Sequence, residues 1–381
     1  MDARPESLAV VGLGLLGASL AEAARKRWPG IRIAGVSSPD TLDKARAAGL
    51  IETGHAYADA AEALAGADLV ILCTPIDRIA STLADWAAKP PACKPGAVVT
   101  DVGSTKAGLC AAGRRAFPAD GSRGAVFVGS HPMAGSEKTG IDARDALLFQ
   151  NASWVICPEA GGLPEADAAR VEKAAGRVQD FAQALGARVT RMPARLHDEV
   201  AAHVSHLPQL LSTALASYIA SRDAVVDNCL QIAGGGFRDM TRLAASSFRV
   251  WEPILRSNRA AVEETLRGFR AHLERLEASL GEDLGEAGFR EANRLRARLS
   301  TARKGFAVPL AEILVDLEDK PGELVRAFSP LAKAGLNVLD VEILKVREGE
   351  GGVLMMGFHG PAEAEKAVAE LKAADFGARL R

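Results

Sequence analysis

Residues 8–17, LAVVGLGLLG, constrain the fold of this chain more than any other stretch. Gly12, Gly14 and Gly17 keep the GxGxxG spacing, directly after a β-type apolar run and ahead of an Ala- and Leu-rich helical pattern. At such a strand, turn and helix the first glycine permits the tight turn, the second lets backbone approach a pyrophosphate, and the third lets helix pack on strand. The opening helix adds unpaired N–H groups and the positive end of its dipole. The amides at Leu15 and Leu16 therefore join the glycines as candidate dinucleotide contacts. A second β-type run, RIAGVS, follows the helix, which is the context the fingerprint requires.

The end of that second run normally separates the two nicotinamide dinucleotides. Asp or Glu there accepts from the ribose 2′-hydroxyl of NAD, whereas a nearby Arg receives the 2′-phosphate of NADP. Ser37 stands at this position, followed by Ser38 and Pro39, so the sequence reads as NAD or NADP without choosing. Asp40 reads equally as a displaced acidic partner and as a helix cap. Thr74 and Pro75 end the run DLVILCTP, at the edge where open α/β sheets bind ligands; they read equally as cofactor contacts and as a strand terminator.

Short β-type runs alternate with helical patterns from Leu8 to about Thr190. This predicts an α/β, Rossmann-type domain over residues 1–192, with a parallel sheet covered on both faces. From Ala194 to Thr301 apolar residues recur at helical spacing, predicting an all-α domain over 193–303. The tail, 304–381, reads strand, helix, strand, strand, helix, strand, the ferredoxin-like α+β order. At 381 residues the chain is long enough for two or three cores. A formal net charge of −2, with 25% charged residues, leaves no basic surplus for nucleic acid. Five scattered cysteines form no CxxC pair, and no long apolar leader or span is present. The expectations are a reducing cytoplasm and no membrane association.

Two further strand ends converge on the edge that carries the glycine turn. VVTDVGSTK delivers Asp101, Ser104 and Lys106, and VFVGSHPMAG delivers His131, fixed between Gly, Ser and Pro. A histidine with pKa near 6.5 can take a hydroxyl proton as hydride leaves the same carbon. Ser104 reads equally as a hydrogen-bonding partner at the reacting hydroxyl or carboxamide and as a helix cap. In LHDEVAAHVSHLPQLLSTAL, about 100° per residue places Asp198, Ser205 and Gln209 within roughly 20° of one line, with His206 about 80° away. Such a polar stripe on an Ala- and Leu-rich helix suits a polar ligand, and Pro208 is expected to kink the helix there. A metal site from His197, His203 and His206 is disfavoured, because the spacing is not HExxH and no Cys or Glu cluster completes it. Three glycines at 234–236 are expected to release a loop that presents Arg238, Asp239 and Arg242, with Trp251 beyond. Arg242, flanked by apolar Met240 and Leu243, reads as a carboxylate ligand, with a surface salt bridge as the alternative.

GLGLLG, DVGSTK, GSHPMAGSEKTG, HDEVAAHVSHLP and GGGFRDMTR, in this order and with a helical second domain, resemble the prephenate dehydrogenase family over about residues 8–285. That family includes arogenate-specific and dual-specificity forms. From Val308, DKPGELVRAF and GLNVLDVEI resemble the effector-binding turn and second strand of an ACT domain. The resemblance implies an NAD(P)-dependent oxidative decarboxylation of prephenate to 4-hydroxyphenylpyruvate in tyrosine biosynthesis, without a metal. It makes His131 the proton acceptor and places Ser104 near the ring hydroxyl and cofactor. It pairs Arg242 with a substrate carboxylate, gives Ser205, His206 and Trp251 the side-chain end of the pocket, and has Asp198 orient neighbours or join subunits. Gln209 stands where many relatives carry histidine, which leaves prephenate against arogenate open. A homodimer built largely through the helical domain is also implied, as is tyrosine feedback through Asp319, Pro321, Gly322, Leu324 and Asn337. Three alternatives remain: a β-hydroxyacid dehydrogenase, though the stripe lacks that group's helical lysine, a non-catalytic amino-acid sensor, and a tail that serves only association.

Overall fold

Alternation along β1 (Ser7–Val11) sends Leu8 and Val10 to one face of a sheet and Ala9 and Val11 to the other, and all four are buried. The structure, a computed structural model, describes residues 4–135, 138–281, 285–300, 310–347 and 351–381. It divides into two compact units, Met1–Arg275 and Leu276–Arg381, so the expected boundary at 192/193 runs inside the first.

The chain continues through α1 (Leu15–Arg27), β2 (Arg32–Val36), α2 (Pro39–Ala47), β3 (Thr53–His55), α3 (Ala60–Ala65), β4 (Leu69–Leu72), α4 (Ile76–Ala88), β5 (Ala97–Asp101) and α5 (Ala107–Ala116). After these come β6 (Ala125–Pro132), β7 (Ser153–Cys157), α6 (Glu165–Ala184) and β8 (Arg188–Arg191). The eight strands lie in the order β3-β2-β1-β4-β5-β6-β7-β8. Leu8, Val10, Ile33, Ile71 and Val128 pack with α1 and α6 in one core, and Ala9, Val11, Val70, Val99 and Phe127 pack with α4 and α5 in the other. Each fully buried Leu, Val, Ile or Phe side chain contributes about 1.5–3 kcal/mol, so the two cores fix the sheet.

The sheet departs from the all-parallel expectation at one place. β6 and β7 run antiparallel, pairing Gly129 with Cys157 and Pro132 with Trp154. A parallel pair needs a crossover, usually a helix, to return the chain to the starting edge. Between β6 and β7 the described residues form only a 3-10 turn, Ile141–Ala143, so the chain returns on the edge where β6 ended. That segment bonds back onto the nucleotide-side helix, with the Asp145 amide donating to Ser19 Oγ at 2.9 Å. The three-residue β3 carried too short an apolar pattern to be read from sequence.

The strand order reverses between β1 and β4, which opens a crevice at their carboxyl ends. Gly12 takes φ +99 in the turn after β1, and a Cβ there meets Thr74 Cγ2 at 2.8 Å and the Cys73 backbone at 2.9 Å. A Cβ at Gly17 lies 1.9 Å from the Gly12 carbonyl oxygen, whereas one at Gly14 meets nothing within 4 Å. Helix therefore sits hard on strand at Gly17, and the space over Gly14 stays open for a ligand.

The rest of the first unit is helical. α7 (Ala194–Ala201) runs through a single π turn, Ala202–His206, into α8 (Leu207–Ala220). There follow α9 (Val226–Ile232), α10 (Gly235–Thr241), a 3-10 turn at Arg242–Ala245, α11 (Phe248–Ser257) and α12 (Arg259–Ser279). The second unit holds α13 (Glu286–Ser300), β9 (Ala311–Leu317), α14 (Glu323–Lys333), β10 (Asp340–Arg347), β11 (Gly351–Phe358), α15 (Pro361–Ala373) and β12 (Ala378–Leu380). Its sheet order, β10-β11-β9-β12, is antiparallel throughout and matches the ferredoxin-like expectation.

Gly17→Ala tests the packing of α1 on β1. A methyl group 1.9 Å from a backbone oxygen forces the helix away from the strand. We expect a lower urea midpoint and weakened nucleotide binding by fluorescence titration; wild-type values in both would contradict this account of the turn.

Candidate active site

His131 is the last residue but one of β6 and lies half-buried beside Val155 of β7. Its backbone is held from below. Lys106 is fully buried and donates through Nζ to Asp101 Oδ2 and, at 2.7 Å, to the Ser130 carbonyl. Asp101 in turn accepts from the amides of Gly103 at 2.9 Å and Ser130 at 3.3 Å. The ion pair thus ties the residue before His131 to the loop that carries Ser104. A buried pair of this kind costs several kcal/mol to break from one side, which makes the strand ends rigid.

The helical segment reaches this edge through α7. Asp198 accepts from the Lys106 amide at 2.6 Å and the Ala107 amide at 2.8 Å, capping the first turn of α5 from another element. Its Oδ1 also faces His197 Nδ1 at 2.8 Å, and His197 Nε2 lies 2.9 Å from His131 Nδ1. The two imidazoles meet edge to face, with centroids 5.1 Å apart. Asn258 closes the arrangement, donating to the Asp198 carbonyl at 2.7 Å and lying 3.3 Å from His206 Nδ1. Trp251 packs edge-on against His206 at 5.9 Å.

Burial holds the His131 imidazole well below its ordinary range, reinforced by the Lys106 ammonium and by His197 and His206. A neutral ring is ready to accept a proton at neutral pH. Burial also pushes His206 down to about 4, against the opposing pull of Asp198.

The other expected residues fall in several places. Ser104 is half-buried between β5 and α5, and Thr74 is half-buried after β4, with Pro75 exposed as the cap of α4. Leu15 and Leu16 open α1, which has no acidic residue in its first turn, and Ser37 is buried at the end of β2. These groups fit a pyrophosphate at the glycine turn. Ser205 is half-buried in the π turn, Trp251 is half-buried, and Arg242 is exposed at the start of its 3-10 turn. Gln209 donates to the Leu243 carbonyl at 2.8 Å, and Ser212 Oγ accepts from the Ala244 amide at 3.0 Å, so α8 grips the turn beginning at Arg242. In the second unit Gly322 takes φ +88 ahead of α14, with Asp319 and Pro321 in the turn before it, Leu324 exposed in the helix and Asn337 exposed after it.

Two expectations are corrected. The stripe through Asp198, Ser205 and Gln209 assumed one uninterrupted α-helix, but the π turn, with the Leu207 amide bonded to the Ala202 carbonyl, inserts an extra residue and resets the register. Asp198 lies ahead of the π turn and places its carboxylate on α5 and His197, in keeping with a residue that orients its neighbours. Pro208 stands two residues after this π turn, so the departure from α-helical hydrogen bonding lies beside the residue that lacks an N–H. Gly235 and Gly236 do not release a loop; they open α10, with Gly234 as its cap. The sequence reading passed over His197, weighed only as a metal ligand, and Asn258; the signal it held was a histidine directly beside a carboxylate.

The model described as prephenate dehydrogenase, nucleotide-binding domain, matches residues 20–190, and that described as prephenate dehydrogenase, dimerization domain, matches 193–292. The chain belongs to the prephenate dehydrogenase family. An ACT domain model matches residues 311–376. Among curated relatives, the chain is 27% identical over 373 residues to prephenate dehydrogenase of Bacillus subtilis, covering 96% of each. It is 31% identical over 299 residues to cyclohexadienyl dehydrogenase of Zymomonas mobilis, covering 77% of this chain and 96% of that one. Among solved structures, prephenate dehydrogenase from A. aeolicus in complex with hydroxyphenyl propionate and NAD+ superimposes with a TM-score of 0.66 at 27% identity, covering 77% and 98% of the two chains. Synechocystis arogenate dehydrogenase gives 0.64 at 29%, covering 77% and 99%. Members of this family are NAD(P)-dependent oxidoreductases, which sets aside the β-hydroxyacid and sensor alternatives.

His206 gives the fold a pH dependence. Folded, the ring stays neutral until about pH 4, whereas the unfolded chain protonates it near the ordinary histidine value of 6.5. Between those values the unfolded state binds more protons, so this contribution is present above about 6.5 and is lost as pH falls toward 4. The urea midpoint should drop more steeply over that window in the wild type than in His206→Asn; equal slopes would contradict the assignment.

Proposed function

We propose that this chain oxidatively decarboxylates a cyclohexadienyl acid, prephenate or arogenate, with His131 as the proton acceptor. The observation that carries the reading is the half-buried, neutral imidazole at the end of β6, on the same sheet edge as the glycine turn. Gly12, Gly14, Gly17 and the amides of Leu15 and Leu16 hold the pyrophosphate of NAD or NADP, with Ser37 toward the ribose and Thr74, Pro75 and Ser104 along the crevice. A nicotinamide dinucleotide bound there supplies the hydride acceptor. His131 takes the ring hydroxyl's proton as that carbon loses hydride, and returns it to the phenolic oxygen when the ring carboxylate has left as CO2 and the ring is aromatic. Ser104 donates a hydrogen bond at the reacting end. Arg242 pairs with a substrate carboxylate, and Ser205, His206 and Trp251 border the side-chain end.

Gln209 bears on the choice of acid. Its Nε2 donates to the Leu243 carbonyl and, at 3.3 Å, to Thr213 Oγ1, whose own proton goes to the Gln209 backbone carbonyl at 3.0 Å. Both neighbours demand the nitrogen, so Oε1 is left as a buried acceptor without a partner among the described residues. Leaving such a group unsatisfied costs about 1–3 kcal/mol. Were the substrate's side-chain end to reach it, an ammonium would satisfy it and a keto oxygen would not, and on that reading arogenate is favoured over prephenate.

We also read the helical segment as a homodimer contact. Ile232 is 83% and Phe248 70% exposed in the single chain, with Leu230 and Met240 beside them in sequence, an apolar set that a second copy would cover. The tail is read as the seat of tyrosine feedback, at the turn before α14.

Initial rates with each acid, each with NAD and NADP, test the reading. We expect turnover with both acids and a higher kcat/KM with arogenate, reversed or reduced in Gln209→His. His131→Asn should lower kcat by about 10²- to 10⁴-fold with nucleotide affinity kept; unchanged turnover would remove His131 from the chemistry. Tyrosine should inhibit the wild type. It should act weakly on Gly322→Ala, in which a left-handed position receives a side chain. Equal inhibition of both would place the effector elsewhere.

A further inference from the structure

The contacts that reach His131 from behind determine which of its nitrogens is the base. Both oxygens of Asp198 face backbone N–H groups, those of Lys106 and Ala107, and an amide N–H can only donate. Asp198 is therefore held as an acceptor, and His197 Nδ1, 2.8 Å from its Oδ1, must carry the proton. His197 Nε2 then keeps its lone pair and must accept, so the proton between the two rings, 2.9 Å apart, belongs to His131 Nδ1. What remains on His131 is the lone pair of Nε2.

The neighbouring ring is fixed independently. The Asn258 amide nitrogen faces His206 Nδ1, which makes that nitrogen the acceptor and puts the proton of His206 on Nε2. The Lys106 ammonium spends its hydrogen bonds on Asp101 and the Ser130 carbonyl, and so reaches His131 only as a positive charge. No other described hydrogen bond competes for His131 Nδ1.

We propose that His197 and Asp198 are positioning residues that lock His131 in its Nδ1–H tautomer and aim Nε2 at the reacting hydroxyl. No proton crosses to Asp198: the hydroxyl proton arrives on Nε2, the Nδ1–H bond to His197 shortens as the ring becomes positive, and the proton leaves from Nε2. The inference rests on the reading of His131 as proton acceptor. It adds that the base is assembled only when α7 packs on α5, because the carboxylate that orients His197 is the one that caps α5.

Long-range 1H–15N NMR of the intact wild-type protein, labelled in histidine, reads the tautomers directly. At about pH 7 His131 and His197 should each carry the proton on Nδ1 and His206 on Nε2; a proton on His131 Nε2 overturns the proposal, whatever the variants do. His197→Phe removes the acceptor and should lower kcat about 10²-fold or more, with KM and nucleotide affinity within about twofold. His197→Gln restores an acceptor to Nδ1 and should recover most of that loss. Wild-type kcat in His197→Phe, or no recovery in a folded His197→Gln, would count against the relay. If neither variant folds, the wild-type spectrum still decides. Absence of turnover by the wild type with either acid would instead overturn the proposed function and leave the tautomer result standing.

Discussion

One carboxylate joins the two halves of the first unit. Asp198 leaves α7 and caps α5 through the amides of Lys106 and Ala107, so a helix of the sheet domain has its first turn satisfied by a side chain from the helical segment. Neither partner is complete without the other: α5 has no cap of its own, and Asp198 would otherwise be a buried, unpaired charge. The histidines of the candidate site take their orientation from this contact. His197 is oriented by the same carboxylate, His131 by His197, and the Asp198 backbone carbonyl by Asn258, which also meets His206.

The second constraint is the buried Lys106–Asp101 pair. It lies under the ends of β5 and β6, fully enclosed, and it serves a different end from the capping contact. Its hydrogen bonds fix the backbone at Gly103 and Ser130, the residues next to Ser104 and His131. Its positive end reinforces the burial that keeps the imidazole neutral. A rigid strand end and a neutral base are what proton abstraction from a neutral hydroxyl requires, and the buried ion pair contributes to both.

The fold and the reacting edge were largely legible in the sequence, because they rest on local patterns. The glycine spacing implied a turn whose φ and crowding the structure shows at Gly12 and Gly17, and β-type runs located every strand of the first sheet except the three-residue β3. His131 was found because it ends a strand. What sequence could not convey were relations set by partners distant in the chain. The antiparallel turn into β7 depends on a long segment that forms no crossover helix, and the helical wheel failed at Ala202–His206 because a π turn leaves no mark in apolar periodicity. His197 looked like a spare histidine, since its partner His131 is 66 residues away and only packing brings them to 2.9 Å.

The chemistry stands or falls on His131 Nε2 facing the hydroxyl on the carbon from which hydride departs. The most direct measurement is a crystal structure of the intact chain with NAD+ or NADP+ and a non-reacting hydroxyphenyl analogue of the substrate. His131 Nε2 should lie about 2.6–3.2 Å from the analogue's hydroxyl, with the dinucleotide along the glycine turn. An analogue bound with its hydroxyl away from His131, or a His131 ring that presents Nδ1 to it, would remove Nε2 from the role of base.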